Sequence, residues 1–243
     1  MSRILFLQND KGSPGGVLLD EARAQGAEAH VLTPYPGKRA DPAALADAVP
    51  AAPDGYDGVV ILGGVMSVND RDTHPFLSET ETLIRQFADQ DKPIMGVCLG
   101  AQLVASALGG AVTRLQTPEW GFLPQTWRPE AQDDPLLADA APDLALMQWH
   151  GDTFTLPPGV VHLSERPGCP AQAFRLGRTV YGFQFHLELD RPTLERWVGL
   201  RAKEINAPLD QLQTKMAPEI DRHHGPQEVF ARRIMRRWLG FVG

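Results

Sequence analysis

Cys98 stands in the run Gly96-Val97-Cys98-Leu99-Gly100, with one glycine two residues before it and another two residues after it. The apolar run Pro93 to Val97 reads as a buried strand, and Leu99 to Leu108 reads as an apolar helix ended by Gly109-Gly110, so the cysteine falls at a strand-to-helix turn. A turn this sharp needs small residues around it, and it lifts a nucleophile out of the sheet toward the helix N-terminus. The positive end of the helix dipole there favours a thiolate over a thiol. The N–H of Leu99, the residue after the nucleophile, is then free to point at an oxyanion. Taken alone, the same turn also accommodates a buried structural cysteine. Cys169, between Gly168 and Pro170, has no such turn and is not expected to be catalytic.

A second group lies in Gly182-Phe183-Gln184-Phe185-His186-Leu187-Glu188. His186 and Glu188 are two residues apart at the end of a predicted strand from Thr179 to His186, which puts them on one face. A carboxylate beside an imidazole holds its tautomer and stabilises the imidazolium, the orienting role of a third triad member. A histidine alone on a strand is more often a satisfied core residue, and a lone glutamate a solvated end, so the pair carries weight only together with the cysteine turn. Gln102 follows Cys98 by one helical turn, which places its amide over the same pocket as the thiol unless the helix shows that face to solvent.

The chain order of cysteine first and His-x-Glu much later resembles the class I glutamine amidotransferases, over roughly Ile4 to Asp190. The resemblance implies a triad of Cys98, His186 and Glu188. It extends to Ile61-Leu62-Gly63-Gly64, which looks like the family's glycine-rich oxyanion strand, and to Leu99-Gly100-Ala101-Gln102. By that likeness Gly64 and Leu99 supply backbone N–H groups to the tetrahedral intermediate. Gly63, which permits close approach, and Gln102 are grouped with substrate binding. Trp149-His150-Gly151-Asp152 and Glu119-Trp120-Gly121 resemble two loops of the GMP synthetase type of amidotransferase domain, near the pocket and without assigned roles. Val65 stands where many relatives carry proline, a change that removes no backbone donor.

The activity so implied is hydrolysis of the glutamine side-chain amide to glutamate and ammonia through a thioester on Cys98, with no cofactor and no metal. The alternatives are a stand-alone γ-glutamyl hydrolase or peptidase using the same triad and, more remotely, a non-catalytic regulatory subunit. The implied partners are glutamine or a γ-glutamyl amide, and a synthetase or other ammonia-acceptor subunit. No phosphate-binding loop or complete dinucleotide fingerprint is found, and about fifty helical residues follow Asp190, so the acceptor is not expected within this sequence.

The elements that must position these groups follow from alternating short apolar runs and helix-like stretches, which imply a parallel sheet. Ile4 to Gln8, Glu28 to Leu32 and Gly58 to Leu62 read as strands, with Val17 to Ala24 as the first helix and a loop between Pro34 and Pro53. Pro75 opens a helix whose stripe is Leu77, Thr80, Leu83, Ile84, Phe87 and Ala88. Beyond Ala111 short Gly- and Pro-bounded strands point to antiparallel pairing, near Ala111 to Arg114, Leu144 to Trp149, Val160 to Glu165 and Ala171 to Leu176. The expected fold is α/β and flavodoxin-like, a largely parallel central sheet flanked by helices, with a small antiparallel extension and a helical C-terminal tail. Residues 1–190 are expected to form the amidotransferase-like domain and 191–243 a helical extension packed on it. That extension carries Pro192 at one helix start and Phe230, Ile234, Trp238 and Leu239 on one helix face.

With 243 residues, 43% hydrophobic and 22% charged, the chain suits one packed α/β core. A net charge of -7 argues against nucleic-acid binding, which needs a basic surface. No apolar run approaches the roughly 20 residues of a spanning helix, and two cysteines in unlike contexts suit reduced thiols. A cytoplasmic protein without membrane or nucleic-acid partners is expected. His223-His224 reads as a solvated helix start or loop rather than a metal site, and Arg232, Arg233, Arg236 and Arg237 as a solvated basic face rather than a docking face.

Overall fold

In the computed structural model, which describes residues 1–35 and 48–242, strands β1 (Arg3–Leu7), β2 (Glu28–Leu32), β3 (Gly58–Ile61) and β4 (Ile94–Val97) run parallel, as the apolar runs require. Helices α1 (Gly16–Ala24), α2 (Phe76–Asp89) and α3 (Leu99–Ala107) connect or follow them. Most of the loop expected between Pro34 and Pro53 lies outside the described residues. The later strands are β5 (Val112–Pro124), β6 (Thr126–Trp127), β7 (Ala145–Phe154), β8 (Val161–Arg166), β9 (Cys169–Leu176) and β10 (Val180–Phe183).

Among the described residues, eight strands form one sheet in the order β2-β1-β3-β4-β10-β9-β8-β6. β10 joins β4 in parallel, and β9, β8 and β6 add antiparallel pairs, while β5 and β7 form a separate antiparallel ribbon. The flavodoxin-like reading with a small antiparallel addition therefore holds. β5 is far longer than the short strand expected near Ala111 to Arg114, because its register shift between Arg114 and Glu119 lets pairing with β7 resume through Pro124.

Side-chain alternation divides the core. Ile4 and Phe6 pack on one face of the sheet with Val17, Leu18, Phe230, Ile234 and Trp238, while Leu5 and Leu7 pack on the other with Leu77, Ile84, Phe87 and Leu103. Two C-terminal helices follow, α4 (Arg191–Glu204) and α5 (Leu209–Leu239). Asp190 caps α4 by accepting a hydrogen bond from the N–H of Thr193 at 2.8 Å, next to Pro192 in the first turn. Phe122, Met147, Leu194, Trp197, Val198, Met216 and Ile220 join these helices to the β5–β7 ribbon in a third apolar cluster.

Two surface expectations change. His223 and His224 lie in the middle of α5, and His224 is buried with Nε2 3.3 Å from the carbonyl oxygen of Leu189. The helix runs through Pro218 and Pro226, held by the buried apolar face that includes Met216, Ile220, Phe230, Ile234 and Trp238. The four arginines are paired within the chain. Arg232 and Arg236 each reach Glu21 of α1 at 3.3 Å, and Arg233 and Arg237 hold Asp139 at 3.2 and 2.6 Å. No helix among the described residues is long and apolar enough to cross a membrane.

Candidate active site

Cys98 occupies the junction of β4 and α3 with φ 53° and ψ -110°, a left-handed conformation costly for a side chain with a Cβ. Its N–H donates to the carbonyl oxygen of Phe183 at 2.8 Å, and its carbonyl accepts from Gln102 N at 3.1 Å, so the strained turn is held from both sides. The flanking glycines are required by contact. A Cβ on Gly96 would come within 2.6 Å of the Gly100 carbonyl oxygen, and one on Gly100 would collide with the carbonyl of Ile61. The helix therefore starts directly against β3 and β4, with the thiol at their carboxyl ends, where sheets of this kind hold their sites.

His186 lies beyond the end of β10, which stops at Phe183, and not within a strand as expected. It is fixed instead by an isolated bridge to Met147, whose carbonyl accepts from His186 N at 2.9 Å. The Met147 N–H in turn donates to the buried Gln227 Oε1 of α5 at 2.8 Å. Glu188 still faces the ring, with Oε1 2.7 Å from His186 Nδ1. The Glu188 carbonyl accepts from Val17 N at 2.8 Å, and Gly16, at φ 41°, lies so close to it that a Cβ there would collide.

Burial disfavours the imidazolium of His186, but the Glu188 carboxylate and the Cys98 thiolate outweigh it and raise the His186 pKa well above the ordinary imidazole value. With Nδ1 engaged by Glu188, Nε2 is buried and makes no hydrogen bond among the described residues. The Cys98 thiol lies 3.9 Å from the Trp149 carbonyl oxygen and opens on the same cavity as this carboxylate-held imidazole, the two kinds of group from which a hydrolytic cysteine site can be built.

Cys98, Leu99, Gln102, Gly64 and His186 line one cavity of about 620 Å³. Gly63 sits one residue back from its wall, where a Cβ would lie 3.2 Å from His186 Cε1 and 3.7 Å from Cys98 Cβ. Gln102 is almost fully buried, and its Nε2 donates to the Asp152 carbonyl at 3.1 Å and to Gln184 Oε1 at 3.2 Å. Ser67 Oγ donates to Asp152 Oδ2 at 2.7 Å, tying the loop after Gly64 to β7.

The two loops left without roles meet as neighbours on the ribbon, Glu119 opposite His150 and Trp120 opposite Trp149. His150 Nε2 lies 3.0 Å from Glu119 Oε2, and Glu119 also accepts from Arg166 Nε at 3.0 Å and Gln172 Nε2 at 2.7 Å. Burial opposes ionisation of Glu119, but the His150 and Arg166 hydrogen bonds prevail and hold its pKa below the usual range. Glu119, His150 and Cys169 bring three ligand-type atoms within 4.8 Å of one another. The Arg166 guanidinium on the same carboxylate makes this a hydrogen-bonded hub poorly suited to a further cation. Burial pushes the Cys169 thiol pKa up, unlike a reactive cysteine.

A model of the class I glutamine amidotransferase family matches residues 21–196. The chain belongs to that family. The glutamine amidotransferase-like protein YfeJ of Salmonella typhimurium is 30% identical over 206 residues, covering 84% of this chain and 82% of its own length. The GMP synthase of Aeropyrum pernix is 33% identical over 164 residues, covering 65% of this chain but 29% of that enzyme. A solved glutamine amidotransferase of Methylobacillus flagellatus superposes with a TM-score of 0.80 at 28% identity, covering 100% of this chain and 95% of that one.

Several cavity residues were not singled out from the sequence. Trp197, Leu200, Arg201 and Glu204 of α4 line it, all just beyond the family-matched segment. Trp197 stands edge-on to His186, with ring centroids 4.7 Å apart, and donates from Nε1 to the Gly12 carbonyl at 2.9 Å. Their spacing reads only as an amphipathic helix. The one signal was Trp197 and Arg201, one helical turn apart on a single face.

Proposed function

We propose that this amidotransferase is a cysteine hydrolase of the γ-glutamyl amide bond, with glutamine as its smallest substrate. Cys98 is the nucleophile, His186 the acid and base, and Glu188 the residue that orients it. The observation that carries the reading is a buried histidine held at Nδ1 by Glu188, in one cavity with a cysteine on a strained strand-to-helix turn.

In the first half-reaction the Cys98 sulfur attacks the δ-carbonyl carbon and a tetrahedral oxyanion forms. The N–H groups of Leu99 and Gly64 stabilise it. The carbon–nitrogen bond breaks, His186 delivers its proton to the departing nitrogen, and a γ-glutamyl thioester remains on Cys98. Water then attacks the thioester, His186 takes its proton, the carbon–sulfur bond breaks, and glutamate leaves. Gln102 and the backbone at Gly63 belong to the substrate-binding wall. No step calls for a cofactor.

Ammonia released this way suits a separate acceptor protein in the cytoplasm, a reading supported by the GMP synthase subunit of Halobacterium salinarum, 32% identical over 143 residues. In this reading residues 1–190 carry the chemistry and 191–243 complete the cavity wall. The test is release of ammonia and glutamate by the purified chain, together with labelling of Cys98 by a diazo-ketone analogue of glutamine. No release and no labelling would refute it.

A further inference from the structure

The cavity is larger than glutamine needs. Its volume of about 620 Å³ lies in the range of pockets that enclose drug-sized ligands, and residues of α4 form one part of its wall. Trp197 contacts the His186 ring, Leu200 is partly exposed at the rim, and Arg201 follows Trp197 by one helical turn. Arg201 is braced there. Its guanidinium lies 5.6 Å from the centre of the Trp120 ring, and NH1 donates to Glu204 at 2.8 Å. Rings of Trp197, Trp149 and Trp120 meet edge to face between His186 and this guanidinium. On the ribbon side of the cavity stands Arg114, mostly exposed, with NH1 3.2 Å from Asp152 Oδ1.

Guanidinium donors that could take an anion are left over at this end of the cavity. The lining carboxylates already have partners: Asp10 the N–H of Gly12, Asp70 the N–H of Ser67, Asp152 Ser67 and Arg114, Glu119 its three donors, and Glu204 Arg201. A guanidinium offers five N–H donors, and among the described residues Arg201 and Arg114 each make a single side-chain hydrogen bond. Arg201 Nε is buried and has no hydrogen-bond partner among the described residues. The side of the cavity is also defined. His186 must protonate the departing nitrogen, so the leaving group lies toward His186 and the α4 wall packed on it, away from the oxyanion donors at Gly64 and Leu99.

We infer that the α4 side of the cavity is a leaving-group subsite in which Arg201, assisted by Arg114, binds a carboxylate, so that the preferred substrates are γ-glutamyl amides of amino acids or short peptides. The inference rests on the hydrolase reading above. The reaction balances as before, with the amine of an amino acid or peptide taking the His186 proton in place of ammonia, and water supplying the hydroxyl of the glutamate released.

The test compares kcat/KM for glutamine, γ-glutamyl-alanine and γ-glutamyl-alanylglycine, with the last two also supplied as C-terminal carboxamides. Each acid and its carboxamide differ only in the charge proposed to be read. The expected result is a preference of about tenfold or more for the free acids over their carboxamides. That ratio should fall toward one in Arg201→Gln and be partly restored in Arg201→Lys. Equal use of acid and carboxamide by the unmodified chain, or an equal loss on all substrates in Arg201→Gln, overturns the inference while leaving the hydrolase reading intact. Failure of every substrate, glutamine included, overturns both.

Discussion

Trp197 and His186 meet edge to face at 4.7 Å with their planes 86° apart, although the tryptophan lies one residue past the end of the family-matched segment, on a helix that begins within it. The contact covers one side of the imidazole with an apolar ring that is itself anchored to Gly12. Trp197→Ala is expected to lower kcat more than it raises KM, because it admits water and loosens the ring without removing a reacting group. A titration of His186 followed by NMR should shift in the variant. An unchanged titration and unchanged kcat would show that the contact is packing alone.

Cys98→Ala is expected to abolish ammonia release and thioester formation while preserving the fold, since alanine meets the same positive φ with a smaller side chain. Cys169→Ala should change turnover little, because that thiol is buried beneath the ribbon and its pKa is raised. A direct ammonia assay with mass analysis of trapped thioester checks both. Substantial turnover by the Cys98 variant would remove it as nucleophile.

His186→Ala is expected to cost about 100-fold to 10,000-fold in kcat, the usual worth of a positioned acid and base. Glu188→Gln should cost less, because the amide can still engage Nδ1 but supplies no charge. The order would be reversed if Glu188 were itself the proton carrier. Single-turnover kinetics at neutral pH decide between them.

Stability should depend on this pair in one direction. The folded pKa of His186 is raised, so folding favours its protonated form. Its contribution is complete below the unfolded imidazole value of about 6.5 and is lost as pH rises through the higher folded value. Urea midpoints are therefore expected to fall from neutral to alkaline pH, with a smaller fall in Glu188→Gln, which removes the chief attraction. Parallel curves for the two proteins would contradict the assignment.

Two glycines near the site should behave differently. In Gly100→Ala the new methyl meets the backbone carbonyl of Ile61, which cannot move without shifting β3, and a loss of about 3 kcal/mol is expected by denaturant unfolding. In Gly64→Ala it meets the Leu99 and Met66 side chains, each at 2.8 Å, which can turn aside, and the Asn9 Cβ at 3.2 Å, which needs only a small shift. That variant should fold yet lose turnover as the loop is displaced from the oxyanion. Comparable unfolding midpoints for both would refute the distinction.

Cys98 and its glycines were legible because a nucleophile turn is local, with glycine spacing, strand and helix all falling within about fifteen residues. The pairing of His186 with Glu188 was legible as an alternation of two, but the strand expected to carry it ends three residues earlier, at Phe183. What holds His186 is Met147, nearly forty residues away in sequence, a contact no local pattern encodes. The Glu119, His150, Arg166 and Gln172 hub depends on the register of β5 against β7 and on β9 beneath them. Its residues read separately as short loop motifs. In α5, periodicity gave the buried face of Phe230, Ile234 and Trp238. It could not reveal that Trp197 and Arg201 face a cavity, since a helix facing a pocket and one facing a core share the same spacing.

The hydrogen bonds linking Gln227 to Met147 and Met147 to His186 bear on how such proteins can be recombined. A hybrid that keeps this chain up to Asp190 and borrows its remaining helices from a relative would inherit an elbow with no guarantee of a seated histidine. The borrowed helix must offer an acceptor to the Met147 N–H at the depth of Gln227. Compatibility between the parts then turns on one amide oxygen, and a hybrid repaired by restoring glutamine at that single position would regain turnover out of proportion to any gain in thermal resistance.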